Sequence, residues 1–165
     1  MTSAAFTANT LLFRQATRDD LSEIVRLLAD DDLGQQREQY QYDLPHAYYQ
    51  AFEAIERDLH NELIVVESEG RIVGTFQLTF IPSLTFQGGK RAQIEGVRVA
   101  RGVQGQGIGR AMIEWAIARA RQAGCCLVQL TTNKQRADAI HFYTRLGFAP
   151  SHEGMKLYLS TAQQE

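Results

Sequence analysis

Two cysteines and three prolines are all that 165 residues contain of either type. Cys125 and Cys126 are adjacent, so they cannot staple distant segments. A pair of free thiols in a buried strand, suited to a reducing cytoplasm, is the expected state. No apolar run approaches the roughly 20 residues of a membrane span. The first residues lack a basic region followed by an apolar stretch, so no secretory signal is expected. Charge of one sign is also missing: 17 Lys and Arg against 19 Asp and Glu leave a net −2. That balance gives no electrostatic case for nucleic acid or for an anionic membrane. The four histidines, His46, His60, His141 and His152, show no metal-ligand spacing. The acidic run Asp30-Asp31-Asp32 lacks the interleaved ligands of a calcium loop. A Gly-x-Ser-x-Gly nucleophile motif is absent. Disulfide scaffolds, membrane spans, nucleic-acid binders and ordinary serine or metal hydrolases are thereby set aside.

What is present is a soluble-type composition, 44% apolar and 22% charged, long enough for one domain with a real core. Residues 1–10 read as a small, polar tail and 11–160 as a single domain. Expected strands lie at Leu11–Gln15, Leu63–Val66, Ile72–Phe80, Ala92–Val99, Cys125–Thr131 and Met155–Leu159. Alternation puts Phe76, Leu78 and Phe80 on one face. A first helix is predicted after Thr17, its cap, with Leu21, Ile24, Val25 and Leu28 on one face and its end at 30–34. Pro45 opens a second, carrying Tyr48, Phe52, Ile55 and Leu59. A third runs from Ile108 with Ile108, Met112, Trp115 and Ala118 facing the core. A fourth covers 137–146 and stops at Gly147. Gly96 inside its strand predicts a bulge. The order predicts an α/β fold, a mixed sheet with helices on both faces.

The stretch Val97-Arg98-Val99 followed by Gln104-Gly105-Gln106-Gly107-Ile108-Gly109-Arg110 carries the strongest chemical signal. Strand, glycine loop and helix start in that order build an anion site. Glycine permits left-handed angles, and the first helical turn offers N–H groups without partners and a positive dipole end. Arg101 and Arg110 flank it as candidate charge-assisted donors. A nucleoside-triphosphatase loop would end in Gly-Lys-Ser or Gly-Lys-Thr, and here Gly109 precedes Arg110 and Ala111. A dinucleotide fingerprint would need glycine where Arg110 stands. A tight turn with no ligand is the bland alternative.

The spacing Gln104-x-x-Gly107-x-Gly109 resembles the pyrophosphate loop of the GNAT acetyltransferase superfamily. Ala139-Ile140-His141-Phe142-Tyr143-Thr144-Arg145-Leu146-Gly147-Phe148 resembles that family's second motif, about 35 residues on. The resemblance implies a GNAT-like, mostly antiparallel twisted sheet of about six to seven strands. It implies acetyl-CoA as cosubstrate and a primary amine of a small molecule, peptide or protein as acceptor. A non-catalytic acyl-CoA-binding module on the same fold is the runner-up. Homodimers are among the assemblies it implies, and a cytoplasmic location is expected.

An ammonium must lose a proton before it attacks a thioester, since its pKa is about 10. Glu95, on the strand before the loop, is the first candidate base, with a water chain as the alternative. Whether it shares a face with Val97 and Val99 depends on the bulge. An ion pair with Arg91 or Arg98 is its bland alternative. Tyr143 stands at the family's tyrosine position, a candidate proton donor to the departing thiolate, or else a packed tyrosine. By the resemblance, the main chain of Val97, Arg98 and Val99 pairs with the pantetheine arm. The loop from Gln104 to Gly109, with Arg110, holds the pyrophosphate. His46, Tyr48 and Tyr49 are candidate acceptor contacts. Where the family often has Asn, this chain has Arg136, with Asn133 three residues earlier. Arg136 is the candidate contact to the ribose phosphate.

Overall fold

The computed structural model describes residues 11–30 and 32–159. The expected tail, 1–10, and Asp31 of the acidic run lie outside them. Five strands form one sheet in the order β1 (Leu11–Gln15), β2 (Asn61–Ser68), β3 (Arg71–Ile81), β4 (Lys90–Val99) and β5 (Cys125–Leu130). The first three pairings are antiparallel and β4–β5 is parallel. The helices are α1 (Leu21–Ala29), α2 (Asp32–Arg37), α3 (His46–Arg57), the single turn α4 (Thr85–Gly88), α5 (Ile108–Gln122) and α6 (Ala137–Arg145).

Two apolar clusters sandwich the sheet. Phe76, Leu78, Phe80, Ala92 and Ile94 meet α5 on one face. Leu21 and Val25 of α1 meet Phe52 of α3 on the other, with Leu63 packed against them. The α5 stripe is Ile108, Met112, Ala116 and Ala120, at four-residue spacing. Ala118, expected in the core, is exposed. Small Ala116 and Ala120 allow the helix to settle on the sheet, a close approach that a search for large apolar residues overlooks. Leu59, expected on α3, lies beyond the helix and is exposed.

Strand count is corrected from six to seven to five among the described residues. Met155–Leu159 has alternating apolar residues but no ladder partner; Met155, Leu157 and Leu159 face solvent. Alternation sets a strand's faces without supplying an edge to pair with. β5 is consequently the border strand and not an interior one. Cys125 is half-buried and Cys126 exposed, where burial of both was expected.

The acidic run ends the first helix, as expected, with Asp30 as its C-cap, and also opens a short second one. α1 ends at Ala29 and Asp32 opens α2. Thr17 sits before a 3₁₀ turn, Arg18–Asp20, that leads into α1. Asp20 accepts from the Thr17 N–H at 2.7 Å and from both Arg14 Nη atoms at 2.7 and 2.9 Å. These bonds, the Arg14 one foremost, hold its carboxyl near pKa 2. β1 is thereby pinned to the start of α1.

Candidate active site

Gly96 determines the geometry of β4. Thr75 faces Arg98 and Gln77 faces Glu95, so two residues of β4 oppose Phe76 alone. This is the predicted bulge, and Gly96 takes φ +62°, an angle that costs other residues energy. Side-chain parity reverses there. Ala92 and Ile94 before the bulge, and Val97 and Val99 after it, all pack against the α5 core. Glu95 and Arg98 therefore share the opposite face, where α1 and α3 lie. Glu95 is exposed and pairs with neither Arg91 nor Arg98. Leu28 at the end of α1 reaches over the bulge, 3.8 Å from where a Gly96 Cβ would stand.

The β4–β5 ladder stops at Ile94↔Leu130, whereas β4 continues to Val99. Its outer edge from Glu95 to Val99 is open among the described residues. The Ala100 N–H bonds to Val73 O on the β3 side, so alternation turns the main-chain groups of Val97 and Val99 outward. Their carbonyls are held locally, Val97 O by Arg98 Nη1 at 2.9 Å and Val99 O by Gln104 Nε2 at 3.0 Å. Two amide hydrogens are left pointing into the gap.

The glycine loop follows at once. Gly105 and Gly107 have φ of +78° and +86°, and Gly107 caps α5. The Gln104 N–H bonds to Arg101 O, so the free amides begin one residue later than expected. From Gly105 to Arg110, six successive N–H groups have no protein acceptor among the described residues. They converge at the positive end of a 15-residue helix, the arrangement that binds phosphate oxygens. Gln106 adds a buried Oε1 with no hydrogen-bond partner. The flanking arginines divide. Arg101 Nε turns to the α1 C-terminus, 2.8 Å from Asp30 O, while Arg110 stays exposed beside Glu114.

Tyr143 approaches from α6. The helix ends with Gly147 at φ +91°, the Phe148 N–H on Tyr143 O and the Gly147 N–H on Thr144 O. This Schellman closure brings the residue after the glycine back onto the last turn. Phe148 meets the Tyr143 ring edge-on at 5.9 Å, and Phe142 does so at 5.1 Å. Phe142 also lies 3.6 Å from where a Gly109 Cβ would be, which joins α6 to the loop. Burial pushes the Tyr143 phenol above its usual value, against the pull of Arg136 and Arg98. The hydroxyl has no hydrogen bond among the described residues. Arg136 precedes α6 directly. Asn133 caps its own turn through the Gln135 N–H.

An open strand edge thus runs into an unpartnered amide cradle, and Val99 of β4 and Phe142 of α6 both approach Gly109, within 3.7 Å of where its Cβ would stand. The Acetyltransferase (GNAT) family model matches residues 26–148. The chain belongs to the GNAT family. A solved structure from Bacillus halodurans C-125, described as a transcriptional regulator, is 52% identical, with a TM-score of 0.87 over 90% of this chain and 99% of that one. A putative acetyltransferase from Agrobacterium tumefaciens str. C58 is 25% identical, with a TM-score of 0.78 over 89% and 99%. The aminoalkylphosphonate N-acetyltransferase of Salmonella typhimurium is 43% identical over 60 residues, 36% of this chain and 39% of that one. The match thus spans about two fifths of that relative's length.

The residues expected as acceptor contacts, His46, Tyr48 and Tyr49, all lie on α3. His46 is exposed at the start of α3. Tyr49 lies under the Arg18 guanidinium, 4.5 Å from its ring centre, and packs into the second core. Tyr48 accepts the Gln39 N–H at 2.9 Å and donates to Glu38 Oε2 at 2.9 Å. Glu38 sits in a polar stretch without periodicity, and its bond to Tyr48 was not expected from the sequence.

Proposed function

We propose that this chain is an N-acetyltransferase that moves the acetyl group of acetyl-CoA to a primary amine by direct attack on the thioester. The observation that carries the reading is the run of six free amides, Gly105–Arg110, continuous with an open strand edge. The cradle fits a pyrophosphate, and Arg110 adds charge beside it. The N–H groups of Val97 and Val99 suit an extended amide-bearing arm laid along β4. One of them can also stabilise the developing oxyanion. Arg136, next to α6, serves the ribose phosphate.

The face shared by Glu95 and α3 receives the amine. Glu95 takes its proton, directly or through water. The amine nitrogen forms the new bond to the acetyl carbon as the carbon–sulfur bond breaks, and the Tyr143 hydroxyl gives its proton to the departing thiolate. The second proton, lost by the nitrogen as it becomes an amide, returns to the Tyr143 oxygen, and the first passes from Glu95 to solvent. Tyr143 suits this role because burial keeps its phenol protonated. Relatives named for aminoalkylphosphonate and for glucosamine 6-phosphate support a small-molecule acceptor. The non-catalytic alternative has no use for a buried tyrosine with an unengaged hydroxyl on the helix that meets the glycine loop.

The test is release of free thiol from acetyl-CoA with four amines: 2-aminoethylphosphonate, glucosamine 6-phosphate, spermidine and a lysine-containing peptide. Acetylation of at least one is expected. Binding of acetyl-CoA without release across all four would favour the non-catalytic reading.

A further inference from the structure

An open cavity of about 330 Å³ lies between α1 and the chain after α2, lined by Arg26, Ala29, Asp30, Gln35, Glu38 and Tyr40. Its charges are not equivalent. Arg26 is bonded to Glu23 at 2.5 Å, and Asp30 is paired with Arg101. Glu38 has no ion pair among the described residues; its bonded partner is the neutral Tyr48 hydroxyl. Tyr48 is fixed in turn by the Gln39 N–H, and burial holds its phenol in the protonated, donating form. Asp30, on the cavity wall, accepts from Arg101 Nε at 2.8 Å just past the end of β4, and Leu28 of α1 lies 3.8 Å from where a Gly96 Cβ would stand. The cavity that Glu38 lines therefore adjoins the open segment of β4 from the α1–α2 side.

We infer that Glu38, oriented by Tyr48, receives the ammonium of a small primary amine and steers it toward the open edge of β4. The inference rests on the acetyltransferase reading and names the residue that decides acceptor affinity within it. A carboxylate whose partner is a hydroxyl keeps its charge for a cation. A cavity of this volume is at the small end for ligand sites, so a small molecule fits it better than a folded protein. Glu38 binds the ammonium, and Tyr48 is a positioning residue that holds the carboxylate. Proton removal remains with Glu95 or water.

The experiment compares Glu38→Gln and Tyr48→Phe with the unaltered protein on the same four amines. Coenzyme A affinity and thermal unfolding are measured alongside. For Glu38→Gln the acceptor KM is expected to rise about tenfold or more, with kcat and the acetyl-CoA KM within about threefold. Tyr48→Phe raises the acceptor KM less, and Glu38→Asp recovers part of the loss. Unchanged acceptor KM in Glu38→Gln overturns the inference and leaves the acetyltransferase reading standing. A fall in kcat with KM unchanged overturns it as well. If the unaltered protein acetylates none of the four, the inference falls together with the enzyme reading.

Discussion

Tyr143 shows how little of a residue's role resides in its own chemistry. A phenol ordinarily titrates near pH 10. Here loss of water around it raises that value, and Arg98 and Arg136 offset part of the rise. The sign follows directly: a neutral acid with a raised pKa keeps its proton through the physiological range and loses it above the ordinary tyrosine value. The alkaline limb of the rate profile should therefore lie above pH ~10 wherever Tyr143 controls it. Tyr143→Phe should lower kcat by at least about tenfold while acetyl-CoA affinity barely changes. Stopped-time thiol release and a binding titration on the same variant check both halves. Near-normal turnover would remove Tyr143 from the chemistry.

Single residues were also where the sequence was hardest to read. The Phe142-Tyr143 and Gly147-Phe148 pairs were visible as a motif, and their Schellman closure explains the spacing: the ring after the glycine has to return to the tyrosine. Glu38 was invisible, because its significance comes from a hydrogen bond to Tyr48 ten residues away. Arg101, a candidate donor flanking the loop, has a partner that the sequence did not reveal. Its nearest acceptor, Asp30, is 71 positions distant in sequence.

At the scale of elements, the bulge in β4 controls the site. It sends the side chains of Val97 and Val99 into the core and leaves Glu95 and Arg98 on the α1–α3 face. Gly96 was a sufficient signal for the bulge, since a glycine amid β-branched residues has few other uses. Which face Glu95 takes could be decided only once the bulge was in place. An alanine at 96 has room, with Leu28 3.8 Å from its Cβ, so the cost is one of backbone angle alone. Gly96→Ala should destabilise the fold by about 1 kcal/mol. That corresponds to a Tm lower by about 2–4 °C for a chain of this size, measured by thermal unfolding. An unchanged Tm would mean that the residue can leave the left-handed region and that the bulge is not fixed.

For the whole molecule, the sheet ends early and that is what makes the cleft. β5 stops at Leu130 while β4 runs on to Val99. The loop, α5 and α6 all gather at the unpaired length of β4. The α/β class and helices on both faces could be read from the alternation and periodicity of individual segments, whereas mostly antiparallel pairing came only with the family resemblance. The count of strands could not. Met155–Leu159 has a strand's pattern, yet pairing is decided by the partner edge and not by the segment.

The central claim is that the amides of Gly105–Arg110 hold the pyrophosphate of coenzyme A. Calorimetric titration of coenzyme A into the unaltered protein and into Gly107→Glu tests it most directly. A carboxylate at residue 107 repels the anion and forces a non-glycine residue to φ +86°. The account predicts saturable one-to-one binding to the unaltered protein, weakened at least about a hundredfold in the variant. No heat of association in either protein, or equal affinity in both, would contradict it.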